Sequence, residues 1–161
     1  MSQITEFDSK VFDSVADALA AGKTLAQATN LKQENLEGLY ALAYNLYSSG
    51  NFKDAETVFR ALCIYDHKDI RYWMGLGGCR QALGKYQEAI EAYSMGGSVA
   101  ALLSNPEPFF YAAKCFLKLG DKENAIDTLR ITVEIGDKDK PENAVCHTKA
   151  RQLLELLTKA A

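Results

Sequence analysis

Trp73-Met74-Gly75-Leu76-Gly77-Gly78-Cys79-Arg80-Gln81-Ala82-Leu83-Gly84-Lys85-Tyr86-Gln87-Glu88-Ala89-Ile90-Glu91-Ala92-Tyr93 reads as a helix, a tight stop at Gly84 and a second helix. Trp73, Leu76, Gly77 and Arg80 recur at helical spacing before the stop, and Tyr86, Ala89 and Tyr93 after it. The offsets around that glycine return on either side. Gly50-x-Phe52-x-x-Ala55 is followed four residues on by Phe59, and Gly120-x-Lys122-x-x-Ala125 by Leu129. The glycines lie 34 and then 36 residues apart. Ahead of the first stand Leu39, Leu42, Ala43 and Leu46; ahead of the third, Phe109, Ala112, Ala113 and Phe116. Self-similarity at this period means stacked two-helix units, none of which can bury its apolar face alone.

These residues resemble the tetratricopeptide repeat, whose 34-residue unit carries a large residue, a leucine, a small residue, a turn glycine, an alanine and an aromatic at these offsets. Trp73-x-x-Leu76-Gly77 with Gly84-Lys85-Tyr86-x-x-Ala89 matches best. The small residues let two antiparallel helices approach, and the large ones fill the space between hairpins. The expected fold is all-α: three such repeats over 36–137 (about 36–69, 70–105 and 106–137), in the right-handed superhelix that the resemblance implies. The first unit has His67 where a proline is usual, and the second exceeds 34 residues by two, at Ser104-Asn105-Pro106.

Outside the repeats, Val11, Phe12, Val15, Ala16 and Leu19 make an apolar helix face. The break Ala21-Gly22-Lys23-Thr24-Leu25 follows, and then a short helical turn capped by Thr24 or Asn30. Residues 1–35 thus form a helical extension that caps the array or meets a second copy. Leu153, Leu154, Leu156 and Leu157, in a segment starting near Pro141, form the expected capping helix of 138–161.

A chain of 161 residues is about one domain. With 48% apolar and 24% charged residues it can bury a core, and it has no run of the roughly 18 apolar residues that a membrane span needs. Eighteen basic against 21 acidic residues give a net charge of −3; residues 1–35 carry three bases and five acids, the rest fifteen and sixteen. With no basic stripe, nucleic acid and anionic membrane are poor partners, so a protein partner is expected. Residues 1–8 show neither a charged n-region nor an apolar h-region, which points to a chain that stays in the cytosol.

Chemistry-bearing motifs are absent. Cys63, Cys79, Cys115 and Cys146 lie 16, 36 and 31 residues apart, with only His67 and His147 as helpers, so neither metal ligation nor a disulfide framework is expected and the cysteines read as core. Cys79 and Cys115 share a repeat position. Adjacent Cys146 and His147 point about 100° apart on a helix and cannot share a proton. Gly22-Lys23-Thr24 has Asp17 where a phosphate loop needs glycine, and no strand before it. Gly75-Leu76-Gly77-Gly78 has Arg80 where a dinucleotide fingerprint needs glycine, and reads as close helix packing. No cofactor is implied, and no catalytic constellation marks an enzyme.

One surface exceeds structural need. Beside the stripe Leu39, Leu42, Ala43 and Leu46, the same helix carries Tyr40, Tyr44 and Tyr47 at i, i+4 and i+7. First helices of successive repeats line the concave side, so these rings are expected to face a cup with Tyr65, Met74 and Tyr93. Rigid rings with hydroxyl tips suit an extended peptide whose backbone makes no bonds with itself. The alternative is that the rings pack beneath the N-terminal segment.

The run Leu36-x-x-Leu39-Tyr40-x-x-Ala43-Tyr44-x-x-Tyr47-x-x-Gly50, then Phe59-x-Ala61-Leu62-Cys63-x-x-Asp66-His67, then Gly75-Leu76-Gly77-x-Cys79-Arg80-Gln81, resembles the class II chaperones of bacterial type III secretion. Gly22-Lys23-Thr24-Leu25 is similar to their Gly-x-Thr-Leu turn, whereas the chain beyond residue 100 follows the family loosely. The resemblance implies a cytoplasmic protein that holds hydrophobic translocator subunits soluble before export. It also implies a groove for a Pro-x-Leu-x-x-Pro segment, with Tyr40, Tyr44 and Tyr47 as groove aromatics, and a homodimer made through the N-terminal helices. The competing readings are a different repeat adaptor and a structural subunit of a secretion assembly. An adaptor gripping a terminal carboxylate would need lysine or asparagine where Tyr40, Tyr44, Gly75, Glu107 and Tyr111 stand.

Overall fold

Each glycine stop is a left-handed residue that ends one helix and aims the chain into the next. Gly50, Gly84 and Gly120 have φ of +82°, +74° and +77°, a region in which a side chain is strained. The Gly84 amide donates to the Gln81 carbonyl and the Lys85 amide to that of Arg80; the pairs Gly50/Asn51 and Gly120/Asp121 repeat the pattern. Three identical C-caps therefore set three helix hairpins.

The computed structural model describes residues 2–136 and 139–159, without the side chains of 2–9, 12 and 101–103. Among these residues the secondary structure is helical throughout. The elements are α1 (Ser2–Ala20), α2 (Leu25–Ala28), α3 (Gln33–Ser48), α4 (Phe52–Tyr65), α5 (Ile70–Ala82), α6 (Tyr86–Leu103), α7 (Glu107–Lys118), α8 (Lys122–Glu134) and α9 (Pro141–Lys159). Hairpins α3/α4, α5/α6 and α7/α8 stack in chain order, α4 against α5 and α6 against α7, and α9 closes the far end against α8 and α7. The boundary expected at 137/138 falls outside the described residues, as does the Phe12 side chain.

Repeat positions explain the core. Ala55, Ala89 and Ala125, at the helix crossings, are fully buried, as are Ala43 and Ala113. Phe59, Tyr93 and Leu129 fill the layers between helices. Two rings lie flat on glycine backbone: a Cβ added to Gly75 would stand 2.2 Å from the Phe59 ring, and one on Gly77 would stand 2.4 Å from Tyr93. Leu36, Leu62, Tyr72, Leu76 and Cys79 knit the first two hairpins together. Phe110, Ala113 and Leu129 meet Cys146, Ala150, Leu153, Leu154 and Leu157 of α9.

Two expected core residues lie elsewhere. Leu42 is 48% exposed and Leu156 is 66% exposed. Helix α3 is covered by α4 and α5 on one side only, and α9 is a terminal helix with one buried face, so in each a residue at the edge of the apolar arc is left outside. The four cysteines are buried and free. Burial pushes the thiols of Cys63 and Cys79 up to about 12 and those of Cys115 and Cys146 to about 11, so none is a thiolate at neutral pH.

At the N-terminal end, Thr24 rather than Asn30 caps α2: its Oγ1 accepts from the Gln27 amide at 3.3 Å while Gln27 Oε1 accepts from the Thr24 amide at 2.9 Å. Asn30 instead ends that turn at φ +55°. Among the described residues, the helix against which α1 packs most is α2. No helix among the described residues is long and apolar enough to cross a membrane.

Candidate functional site

Because each hairpin repeats the last, residues one repeat apart fall into rows across the concave face. Tyr44, Gly78 and Lys114 occupy one such row, Tyr47 and Gln81 stand in a second, and Tyr40 and Met74 in a third. All seven line a cavity of about 720 Å³ whose walls come mainly from α3, α5 and α7. That volume lies within the range of ligand sites.

The tyrosine stripe is open. Tyr44 is 56% and Tyr47 37% exposed, so α1 and α2 do not cover them and the alternative of buried packing does not hold. Tyr40 is half-buried and held on three sides. Its ring meets Phe59 edge-on at 6.0 Å, Tyr72 at 5.9 Å and Tyr44 at 6.4 Å. Arg71 lies over the Tyr40 ring at 4.8 Å. That guanidinium is itself fixed by Glu37 at 2.7 Å and Asp69 at 2.6 Å, whose hydrogen bonds hold the Arg71 pKa above its ordinary value and that of the Glu37 carboxyl below. Tyr47 packs edge-on against Phe52 at 5.3 Å. The rings are thus pre-set, which lowers the entropy cost of covering them.

Of the remaining expected residues, Met74 lines the cavity half-buried and Tyr93 forms part of its floor. Tyr93 is 2% exposed, its hydroxyl donates to Gln81 Oε1 at 2.9 Å, and burial drives its pKa well up. Its ring stacks on Tyr111 at 5.7 Å. Tyr65 is not among the lining residues. It ends α4 and packs half-buried against the first core cluster, whereas the second helices reach the cavity through Phe59, Tyr86 and Tyr93.

Sequence reasoning passed over Gly78, Lys114 and Lys118, which line the cavity together with Tyr111, a position it weighed only against a carboxylate-gripping adaptor. The signal for two of them was available: stepping Tyr44 by one repeat length lands on Gly78 and by two on Lys114. A Cβ at Gly78 would stand 3.4 Å from the Tyr47 ring, so the glycine leaves a gap in the floor between aromatic walls. The Lys114 ammonium stands 5.2 Å from the Tyr111 ring centroid and 5.8 Å from that of Phe110.

Stacked helix hairpins around an open aromatic cup define a tetratricopeptide-repeat protein. Family models described as tetratricopeptide repeat match residues 36–69, 71–95 and 109–135. The low calcium response locus protein H of Yersinia pseudotuberculosis is 41% identical over 141 residues, covering 86% of this chain and 81% of that protein. The chaperone protein SicA of Salmonella typhimurium is 31% identical over 153 residues, 95% of this chain and 88% of its own. Among solved structures, the Yersinia enterocolitica type III secretion chaperone SycD in complex with a peptide of the translocator YopD superposes with a TM-score of 0.74 at 39% identity, over 81% of this chain and 97% of that one. The chain belongs to this family, the type III secretion translocator chaperones.

Proposed function

We propose that this chaperone holds its translocators in the cytosol by gripping an extended Pro-x-Leu-x-x-Pro-like segment in the cup. The carrying observation is the open stripe of Tyr40, Tyr44 and Tyr47 along a concave cavity of about 720 Å³. SycD, of the same fold and family, was solved with a translocator peptide. A protein destined for a membrane carries apolar segments that aggregate in water, and covering part of them stabilises the soluble form by mass action. Nothing in that role requires bond-making chemistry. A proline-bounded segment loses little chain entropy on docking, so roughly micromolar affinity, about −8 kcal/mol, is expected.

Fluorescence anisotropy with a labelled Pro-x-Leu-x-x-Pro peptide tests this, against a control with its three anchors changed to alanine. Saturable binding is expected for the first and none for the second. Tyr47→Ala is expected to weaken binding by about 1–3 kcal/mol with the helical spectrum intact; unchanged affinity in a folded variant rejects the groove.

Residues 1–35 further support a homodimer. Helix α1 packs mostly against α2 among the described residues, and leaves Val11 and Leu19 exposed. Sedimentation equilibrium at micromolar concentration is expected to give a dimer that Leu19→Glu dissociates; a monomer throughout rejects the assignment.

A further inference from the structure

The cup has a cationic end whose lysines have no ion-pair partner among the described residues. Arg71 is neutralised by Glu37 and Asp69, while outside the cup Arg80 and Lys85 share Glu56. Lys114 and Lys118, both lining the cavity, make no ion pair among the described residues. They stand four apart on α7, the spacing at which like charges on one helix face repel. The acidic lining residue Glu107 stands 7 residues from Lys114 and 11 from Lys118 on α7, roughly 10 and 16 Å along the helix axis, and neither lysine bonds to it. In a chain of net charge −3, two unneutralised cations facing one cavity are a local excess that a ligand can relieve.

Resting on the peptide-binding reading above, we propose that Lys114 and Lys118 form an acid-reading subsite, which takes an aspartate or glutamate side chain of the bound segment and sets which segments are preferred. The row Tyr44, Gly78, Lys114 supplies the geometry: an aromatic wall, a gap in the floor, then the cation. Crossing from α3 to α7 spans two helix-packing steps, on the order of 20 Å. An extended chain rises about 3.3 Å per residue, so the acidic residue sits about six residues from the one that covers Tyr44. The carboxylate is internal to the segment. A terminal carboxylate would need polar groups at Tyr40 and Tyr44, where the rings stand instead. Lys114, held over the faces of Phe110 and Tyr111, is pre-positioned for such a partner.

Anisotropy with a set of labelled, C-terminally amidated peptides tests the subsite. Each carries the Pro-x-Leu-x-x-Pro core with glutamine at all variable and flanking positions, or with one glutamine replaced by glutamate. At low salt, one glutamate position is expected to tighten binding about 3–10-fold over the all-glutamine peptide. The gain should vanish in K114Q/K118Q and at 0.5 M salt, and return in K114R/K118R. An unchanged helical spectrum and melting temperature of K114Q/K118Q serve as the folding control. Binding with no preference for any glutamate, or a preference that survives K114Q/K118Q, overturns the subsite and leaves the cup intact. A gain that follows a free C-terminus instead of a glutamate overturns the internal assignment. Failure of every peptide to bind removes the cup and the subsite together.

Discussion

Gly75, Gly77 and Gly78 are one residue type within four positions of α5, and they play two different roles. Gly75 and Gly77 are packing residues: the Phe59 and Tyr93 rings occupy the space their side chains would take. Gly78 has room, with the Tyr47 ring at 3.4 Å from its would-be Cβ, and that room belongs to the cup. Alanine at these positions should therefore have opposite effects. Gly78→Ala is expected to stabilise α5 by about 0.5–1 kcal/mol, since helix-interior glycine is disfavoured, and to raise the melting temperature. Its methyl fills the floor gap, so affinity for the core peptide should fall about fivefold or more. Gly75→Ala forces the buried Phe59 ring aside and is expected to cost about 1–3 kcal/mol. Thermal melts paired with anisotropy read both; a Gly78→Ala protein that binds unchanged would show that no ligand group enters the gap. The four-residue glycine cluster was legible as close packing, but which glycine faces a ring and which faces a cavity depends on the neighbouring helices, and helix-period reasoning does not contain that.

At the level of elements, the repeat was the most legible feature, because one left-handed glycine and one crossing alanine per hairpin are demands of backbone geometry and leave little choice of residue. The concave face was legible on α3, where Tyr40, Tyr44 and Tyr47 exceed the helix's packing need. It was illegible on α7, where the same face carries lysines that look like ordinary solvated charge. Tyr65 shows the converse error: an aromatic on α4, the helix that supplies Phe59 to the cavity, but at its last position and packed against the first core cluster. Between hairpins nothing in the residue pattern marked Glu56, which ties α4 to the next unit through Arg80 at 3.2 Å and Lys85 at 2.9 Å. Burial raises its pKa, but the hydrogen bonds from Lys85 and Arg80 outweigh burial and leave it lowered. A folded-state value below the unfolded 4.5 stabilises the fold above that pH, and the contribution is lost as pH falls through the lowered value. Glu56→Gln is thus expected to cost about 1–2 kcal/mol at pH 7, discounted for the exposure of Lys85, and little near pH 2. Urea melts across that range check the sign; an equal loss at both ends would assign the effect to packing.

For the molecule as a whole, each hairpin leans on its neighbours in a line, so the ends decide how far order extends. The α7/α8 hairpin has α6 on one side and α9 on the other. Helix α9 covers Phe110, Ala113 and Leu129 with Cys146, Ala150, Leu153, Leu154 and Leu157, and His147 Nε2 meets the Ile135 carbonyl at 2.7 Å beyond the end of α8. Removing it uncovers that cluster, a loss of about 5 kcal/mol or more at the usual 1.5–3 kcal/mol per large apolar side chain. Most single domains hold only 5–15 kcal/mol in total, but a linear array can give up one unit and keep the rest. A chain ending at residue 140 should therefore lose amide protection in α7 and α8 first, while α3, α4 and α5 retain theirs. The cup would then keep Tyr40, Tyr44 and Tyr47 and lose Tyr111, Lys114 and Lys118, so the all-glutamine peptide should still bind weakly and its glutamate variants no better. Hydrogen exchange read by mass spectrometry follows the first effect and anisotropy the second. Uniform loss of protection along the chain would mean that the hairpins fold as one cooperative block, with α9 holding up the aromatic half of the cup as much as the cationic one.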